Sequence, residues 1–347
     1  MPFQTVFRFP TRSAFGDLAS YQEQIPTPSS HEVLIKVRAV ALNSRDCQIA
    51  TSNYPFPIKD NVIPGSDAAG DIVQVGDAVQ DFAEGDRVVV CFDQNRPYGP
   101  AKHAVAYQNG GGLDGVMAQY IVRSATAVVK VPADAPQTYS ELASLVCTGV
   151  TAWNALYGNN QLTPGQSVLV QGTGGTSMTA LALAKAAGAT TIVTSSSESK
   201  LATVKAKFEP DYCINYTKTP DWAAEAVRLT GGKGVDHILE IGGVGTIEQS
   251  ISAVARGGVI SIIGYLAEYD PAAVPNIPLL ALGKEAVLRG IQVGPRCMLE
   301  DVVRFVCRRG LRFAIDREFG FDREEIVNAY QALADGKHVG KICILVE

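Results

Sequence analysis

The sequence predicts an α/β protein in which a doubly wound parallel sheet interrupts a β-rich outer domain. Three observations carry that expectation. The chain has 347 residues, 46% of them hydrophobic, which suits two cores at roughly 150 residues per domain. Its first third holds short β-branched runs separated by Pro, Gly, Asn and Asp clusters, the usual chemistry of turns. From about Ser140 the rhythm changes to strand, loop and helix, which implies right-handed βαβ crossovers.

Taken in order, residues 32–42 (EVLIKVRAVAL), 68–76 (AAGDIVQVG), 86–91 (DRVVVC) and 118–122 (AQYIV) read as strands of a twisted antiparallel or barrel-like domain. Residues 97–115 hold five glycines and two prolines with little apolar periodicity, and read as a long surface loop. SVLVQG (167–172) is the first strand of the second pattern. A helix over 179–188 stops at Gly188. Strand 190–195, helix 198–208, strand YCINY, helix 221–230 and strand VDHILEIGG follow. Then come helix TIEQSISAVA, strand GVISIIG and a sixth strand over 286–294. The end of the chain reads as helix 299–308, strand 316–321, helix 323–334 and a final strand, KICILVE. The economical division is an outer domain of residues 1–135 and 295–347 around an inner domain of residues 136–294.

Composition excludes several classes. The net charge of −5 argues against a nucleic-acid binder. No uncharged apolar run reaches the ~18 residues of a membrane helix. Arg8 and Arg12 fall where a secretory leader needs its apolar core, and the C-terminal ILVE is no peroxisomal address. The seven cysteines are odd in number and scattered, with no CxxC pair, so disulfides are not expected and a reducing cytoplasm is the simplest location. None of the four histidines has metal-finger spacing to a cysteine.

The best local signal is VLVQGTGG before a helix. Gly172, Gly174, Gly175 and Thr176 form a turn whose backbone N–H groups, with the helix dipole, suit the pyrophosphate of a dinucleotide. Ser177 takes the place of the third glycine of GxGxxG, and a partial fingerprint also serves packing alone. An NAD site wants an acidic residue about 20 positions on. Here stand Ser195, Ser196 and Ser197, then Lys200, which suit the 2′-phosphate of NADPH. Glu198 is the rival: turned inward, it would favour NADH.

With ALNSRD (41–46), IPGSDAAGDIVQVG (63–76), EGDRV (84–88), LDGVMAQY (113–120), CTGVTAWNAL (147–156), GGKGVDHILEIGG (231–243), GGVISIIG (257–264) and GKICI (340–344) in this order, the whole chain resembles the medium-chain dehydrogenase/reductase superfamily. The resemblance implies a GroES-like β-rich catalytic domain, a Rossmann domain for the cofactor and a homodimer paired at the edge near residues 286–294. Zinc members of that family carry a cysteine where this chain has Asn43 and a histidine where it has Ser66; of the three ligand positions only Cys147 keeps a ligand type. The structural-zinc loop has one cysteine, Cys91. No metal is therefore expected. Without a Lewis acid, reduction of an activated C=C bond in an enone, enoyl compound or quinone is the favoured activity. A zinc-free alcohol dehydrogenase or carbonyl reductase and a non-redox NADPH-binding protein stay open.

The resemblance also places single residues. Asn43 and Tyr54 are the candidate catalytic donors; each has a packing role as its alternative. Asp46 orients its loop or Arg45, and Asp67 fixes a turn. Thr151 lies against the nicotinamide, Tyr216 near the adenosine phosphate, and Gly242, Gly264 and Val293 at carboxyl ends of strands, where ligands bind. Lys341 either reaches the cofactor phosphates or merely starts a strand. The expected partner is a small carbonyl or enone substrate.

Overall fold

The computed structural model describes residues 2–103 and 105–347. The chain divides into two compact units, Met1–Val150 with Val293–Glu347, and Thr151–Gln292.

In the first unit β1 (Phe3–Arg8) pairs antiparallel with β2 (Ala19–Gln24). This ribbon was not legible in the sequence, because β2 (ASYQEQ) is polar and mostly exposed and shows no buried alternation. Next come β3 (Glu32–Ala41), α1 (Ser44–Ala50), β4 (Asp67–Val75), β5 (Arg87–Val90), β6 (Tyr120–Ser124) and β7 (Val128–Lys130). They are followed by α2 (Tyr139–Ser144) and a π-helical turn (Leu145–Gly149); α3 (Val150–Tyr157) belongs to the second unit from Thr151 on.

In the second unit β8 (Ser167–Gln171), α4 (Gly175–Ala186), β9 (Thr190–Ser195), α5 (Glu198–Phe208) and β10 (Tyr212–Asn215) alternate. Then follow α6 (Trp222–Leu229), β11 (Val235–Glu240), α7 (Ile247–Ala253), β12 (Val254–Ile262), α8 (Ile277–Lys284) and β13 (Val287–Gly290). The chain returns to the first unit with α9 (Arg296–Arg309), β14 (Ile315–Phe319), α10 (Arg323–Ala334) and β15 (Lys341–Leu345).

Among the described residues the first unit's main sheet runs β14-β15-β3-β4-β5-β7, with β6 also on β3. All pairs are antiparallel except β14–β15. Val33, Ile35 and Val37 of β3 alternate at the two-residue period of a strand and meet Phe7, Phe9, Ile72, Val88 and Tyr330 in one core. The second unit's sheet runs β10-β9-β8-β11-β12-β13, all parallel, the doubly wound order with its switch point beside β8. Leu169, Ile192, Ile238 and Ile260 pack with Trp222 and Ile251. Burial on both faces explains why β8 reads as an unbroken apolar run.

Four expectations need correcting. Residues 136–150 and 293–294, assigned from sequence to the inner domain, belong to the first unit. The bonds that hold this stretch there are long-range: Glu141 accepts from Arg312 Nε at 2.7 Å and from the Phe313 N–H at 2.9 Å. The strand expected over 286–294 ends at Gly290, and Val293 has φ +50, a left-handed backbone that no strand contains. The helix expected from 179 begins at Gly175. The 97–115 loop, in which Ala104 lies outside the described residues, is not all surface. Asn109 is fully buried, its amide donating to the Cys91 carbonyl at 2.8 Å. A Cβ at Gly115 would stand 2.1 Å from the Gly65 carbonyl oxygen, so glycine is what lets the loop pack inward.

Candidate active site

β3 delivers the chain to Asn43, the N-cap of α1. The Asp46 carboxylate accepts the Asn43 backbone N–H at 2.7 Å, one half of a capping box at the start of α1. The Asn43 side-chain amide is held at both ends. Lys341 Nζ donates to Asn43 Oδ1 at 2.7 Å and to the Leu42 carbonyl at 2.5 Å. Asn43 Nδ2 donates to Ser66 Oγ at 3.3 Å, and Ser66 Oγ donates to Asp67 Oδ1 at 2.6 Å. The other Asp67 oxygen accepts the Cys147 backbone N–H at 3.0 Å. All of these side chains but Cys147 are buried. A Cβ at Gly340 would lie 2.1 Å from the Ala314 carbonyl oxygen, so only glycine lets β15 start where Lys341 reaches Asn43.

Burial dominates the electrostatics. Loss of solvation pushes Asp46 up to about 6, against the pull of Arg45. Desolvation also raises Asp67, although Lys341 and Ser66 hold it down. The Cys147 thiol, desolvated and beside Asp67, is pushed up to about 12 and is protonated at neutral pH.

Lys341 is thus placed differently from the cofactor-phosphate alternative: its ammonium is committed to Asn43 and Leu42. Tyr54 reaches the cluster through α1. Its ring stacks on the Arg45 guanidinium at 5.3 Å and packs edge-on against Phe56 at 5.5 Å. Arg45 is buried between Tyr54 and Phe92, and its Nη1 donates to the Asn109 carbonyl at 3.0 Å. Sequence reading missed this role, since an arginine in NSRD looks like solvated surface.

The second unit carries the nucleotide candidates. Gly172 turns the chain with φ +73 after β8, and its N–H donates to the Thr194 carbonyl at 2.7 Å. α4 then begins with no side-chain cap on its N-terminus, and N–H groups of that kind are able to bind an anion. A Cβ at Gly172 or Gly174 would meet nothing within 4 Å. Packing therefore does not demand a glycine at Gly174. Gly175 and Thr176 lie half-buried in the first turn. Ser177, in the place of the missing third glycine, donates to the Gln171 carbonyl at 2.6 Å and ties the helix to β8.

At the carboxyl end of β11, Glu240 accepts from the Gly242 and Gly243 N–H groups at 2.8 and 2.9 Å, and from Gln171 Nε2 at 2.8 Å. Gln171 and Glu240 therefore lock the loop bearing Gly242 to the glycine turn. Neither was singled out from sequence, since both sit in strands that read as packing. A Cβ at Gly264 would come 2.4 Å from the Ile241 carbonyl oxygen. Thr151 is buried at the start of the unit, whereas Val293 lies just outside it.

Ser195 ends β9, and its Oγ accepts the Ser197 N–H at 3.2 Å. Ser196 is exposed, Lys200 sits in the first turn of α5, and the exposed Tyr216 donates its N–H to the Ser195 carbonyl at 3.1 Å. Glu198 is tied to Lys218 Nζ and Asn215 Nδ2, both at 2.8 Å, and these partners lower its pKa.

Two family models match the chain: an alcohol dehydrogenase GroES-like domain over residues 29–133 and a zinc-binding dehydrogenase over residues 175–308. A zinc-type alcohol dehydrogenase-like protein of Schizosaccharomyces pombe is 39% identical over 342 residues, 96% of this chain and 97% of that one. A crystal structure provisionally named an alcohol dehydrogenase, from Sinorhizobium meliloti 1021, superposes with a TM-score of 0.89 at 34% identity over 99% of this chain and 100% of that one. An NAD-dependent alcohol dehydrogenase structure gives 0.86 at 26% identity over 99% and 100%. The fold, the glycine turn and these matches agree: the chain belongs to the medium-chain dehydrogenase/reductase superfamily and is an oxidoreductase built for a nicotinamide cofactor.

Proposed function

We propose that this oxidoreductase reduces activated C=C bonds in enones, enoyl compounds or quinones, with NADPH as hydride donor and without zinc. The observation that carries the reading is the buried Lys341 ammonium, bonded to the very amide that stands in a zinc-ligand position. Catalytic zinc wants three protein ligands, with thiolates deprotonated. Here the Asn43 oxygen is taken by a cation that repels a dication, the Ser66 hydroxyl donates to Asp67, and the Cys147 thiol stays protonated. These residues do not fit the metal. Among the described residues, no group of three His, Cys, Asp or Glu side chains is placed to hold one.

NADPH, when bound, supplies the hydride. Its preference over NADH is supported by Ser195, Ser196 and Lys200, and by the engagement of Glu198 with Lys218 and Asn215. The chain's own task is to meet the charge that grows on the substrate oxygen as hydride reaches the β-carbon. Asn43 Nδ2 and the Tyr54 hydroxyl are the donors assigned to it. Lys341 orients the amide by occupying its oxygen, and Arg45 holds the Tyr54 ring. A second copy of the chain is assigned to the β13 edge of the sheet; Leu279 and Leu282 of α8, the helix that precedes β13 in the chain, are exposed.

The test pairs an enone with its saturated ketone, each with NADPH and with NADH, on a protein whose zinc content and solution mass are measured. Expected are enone turnover with NADPH, no stoichiometric zinc, and twice the chain mass by light scattering. Asn43→Ala should slow single-turnover hydride transfer about 10²–10³-fold. Turnover of the ketone alone would make the protein a carbonyl reductase; tight NADPH binding with no turnover would make it a binding protein.

A further inference from the structure

Glu198 is the only acidic residue between Ser195 and Lys200. In a doubly wound sheet the adenosine ribose lies beyond the carboxyl end of the second strand, here β9. An acidic side chain there accepts the ribose hydroxyls of NADH and repels the extra phosphate of NADPH. Ser195 ends β9 and Glu198 opens α5, so what holds Glu198 bears on which cofactor is accepted. The turn after β10 holds it. Asn215 Oδ1 accepts the Thr217 N–H at 3.0 Å and the Thr217 hydroxyl at 2.7 Å. With that oxygen taken, the amide presents Nδ2, which donates to Glu198 Oε2 at 2.8 Å. The Asn215 carbonyl accepts the N–H groups of Lys218 at 3.1 Å and Thr219 at 2.8 Å. The turn so closed sets Lys218 Nζ 2.8 Å from the same Glu198 oxygen. The Tyr216 N–H, donated to the Ser195 carbonyl, ties this turn to the end of β9.

The two charged side chains are 67% and 65% exposed. Such a pair contributes little to stability, but its charges are open to an arriving ligand. Lys218 and Asn215 hold the Glu198 carboxyl below its ordinary pKa, so it is ionised at neutral pH. Unpaired, it would oppose a phosphate. We propose that Lys218 is a specificity-determining residue that acts through Glu198: it cancels the carboxylate's charge and fixes it to the turn after β10, so that the end of β9 accepts the 2′-phosphate of NADPH. Lys218 is a positioning residue here, not a phosphate ligand. The proposal rests on the NADPH reading above and names the contact that enforces it.

The experiment measures dissociation constants of NADPH and NADH by fluorescence titration at low salt. The proteins are wild type, Lys218→Met, Lys218→Arg, Glu198→Gln and the double variant Glu198→Gln/Lys218→Met. One charge uncovered a few ångströms from a phosphate in a watery setting should change the NADPH preference about five- to tenfold. Lys218→Met should lower the preference by that factor, chiefly by weakening NADPH, and Lys218→Arg should keep it. In the Glu198→Gln background, Lys218→Met should leave the preference within about twofold. An unchanged preference in Lys218→Met would overturn the proposal, as would an equal fall in Lys218→Arg. An equal fall with and without Glu198 would also overturn it, since Lys218 would then meet the phosphate directly. Wild-type protein that binds NADH as tightly as NADPH would remove the NADPH reading alone; the change between variants still decides the role of Lys218. Binding of neither cofactor would remove both.

Discussion

The Asn43 cluster of the first unit and the glycine turn of the second treat their polar groups in opposite ways. Around Asn43 the hydrogen bonds close on the protein itself, from Lys341 through the amide and Ser66 to Asp67 and the Cys147 N–H. At the turn after β8 the donors are left open: α4 has no side-chain cap, and a Cβ at Gly172 or Gly174 would touch nothing. The difference separates two kinds of polar site. A buried network with internal partners sets the direction of a side chain and resists change. An uncapped helix N-terminus behind glycines offers a fixed positive potential to a mobile anion.

The comparison breaks first at Lys341. Lys341→Met removes the cation from a buried network and strands the Asn43 oxygen and Asp67, so about 3–5 kcal/mol of unfolding free energy should be lost in denaturant titration. Wild-type stability in that variant would show that the ammonium does not hold the cluster together.

Gly174→Ala sharpens the other side. Its backbone is extended, with φ −75 and ψ 179, and the added methyl meets no protein atom. Stability should stay within about 0.5 kcal/mol of wild type, while cofactor affinity measured by fluorescence titration falls at least about tenfold, or ~1.4 kcal/mol. Unchanged affinity would mean that the turn serves the fold rather than the ligand.

The smallest effect concerns Asp46, whose folded pKa of about 6 lies above its ordinary value of 3.8. Between these two values the folded chain binds more protons than the unfolded chain, so stability from this group falls as pH rises through the window and is level above it. Asp46→Asn keeps an acceptor for the Asn43 N–H and removes the charge. The stability of wild type minus variant should therefore decline by an amount of order 1 kcal/mol between about pH 4 and pH 6. A flat difference over that range would show that the carboxylate ionises in the folded protein as easily as in water.

Much of the architecture was legible before the structure. The βαβ rhythm of residues 167–262 comes from apolar strands and short helices that announce themselves by local period, and helix 323–334 matches the observed element at both ends. β1 and β2 were not legible, because pairing between backbones, not an apolar pattern, makes that ribbon. Within the candidate site, the glycine turn could be read because its chemistry is contiguous. The Lys341–Asn43 bond spans 298 positions, and no window of sequence contains both residues.

By itself, then, the amino-acid order determined what is local: which segments are strands or helices, and where the glycine turn after β8 lies. Tertiary structure alone decided which charges meet. It turned Lys341 from a residue open to cofactor phosphates into the support of Asn43, and buried Arg45 between two rings. The physical reason is that hydrogen bonds and Coulomb interactions act over a few ångströms of space, whatever the separation along the chain, whereas helix and strand periods act over a few residues of it.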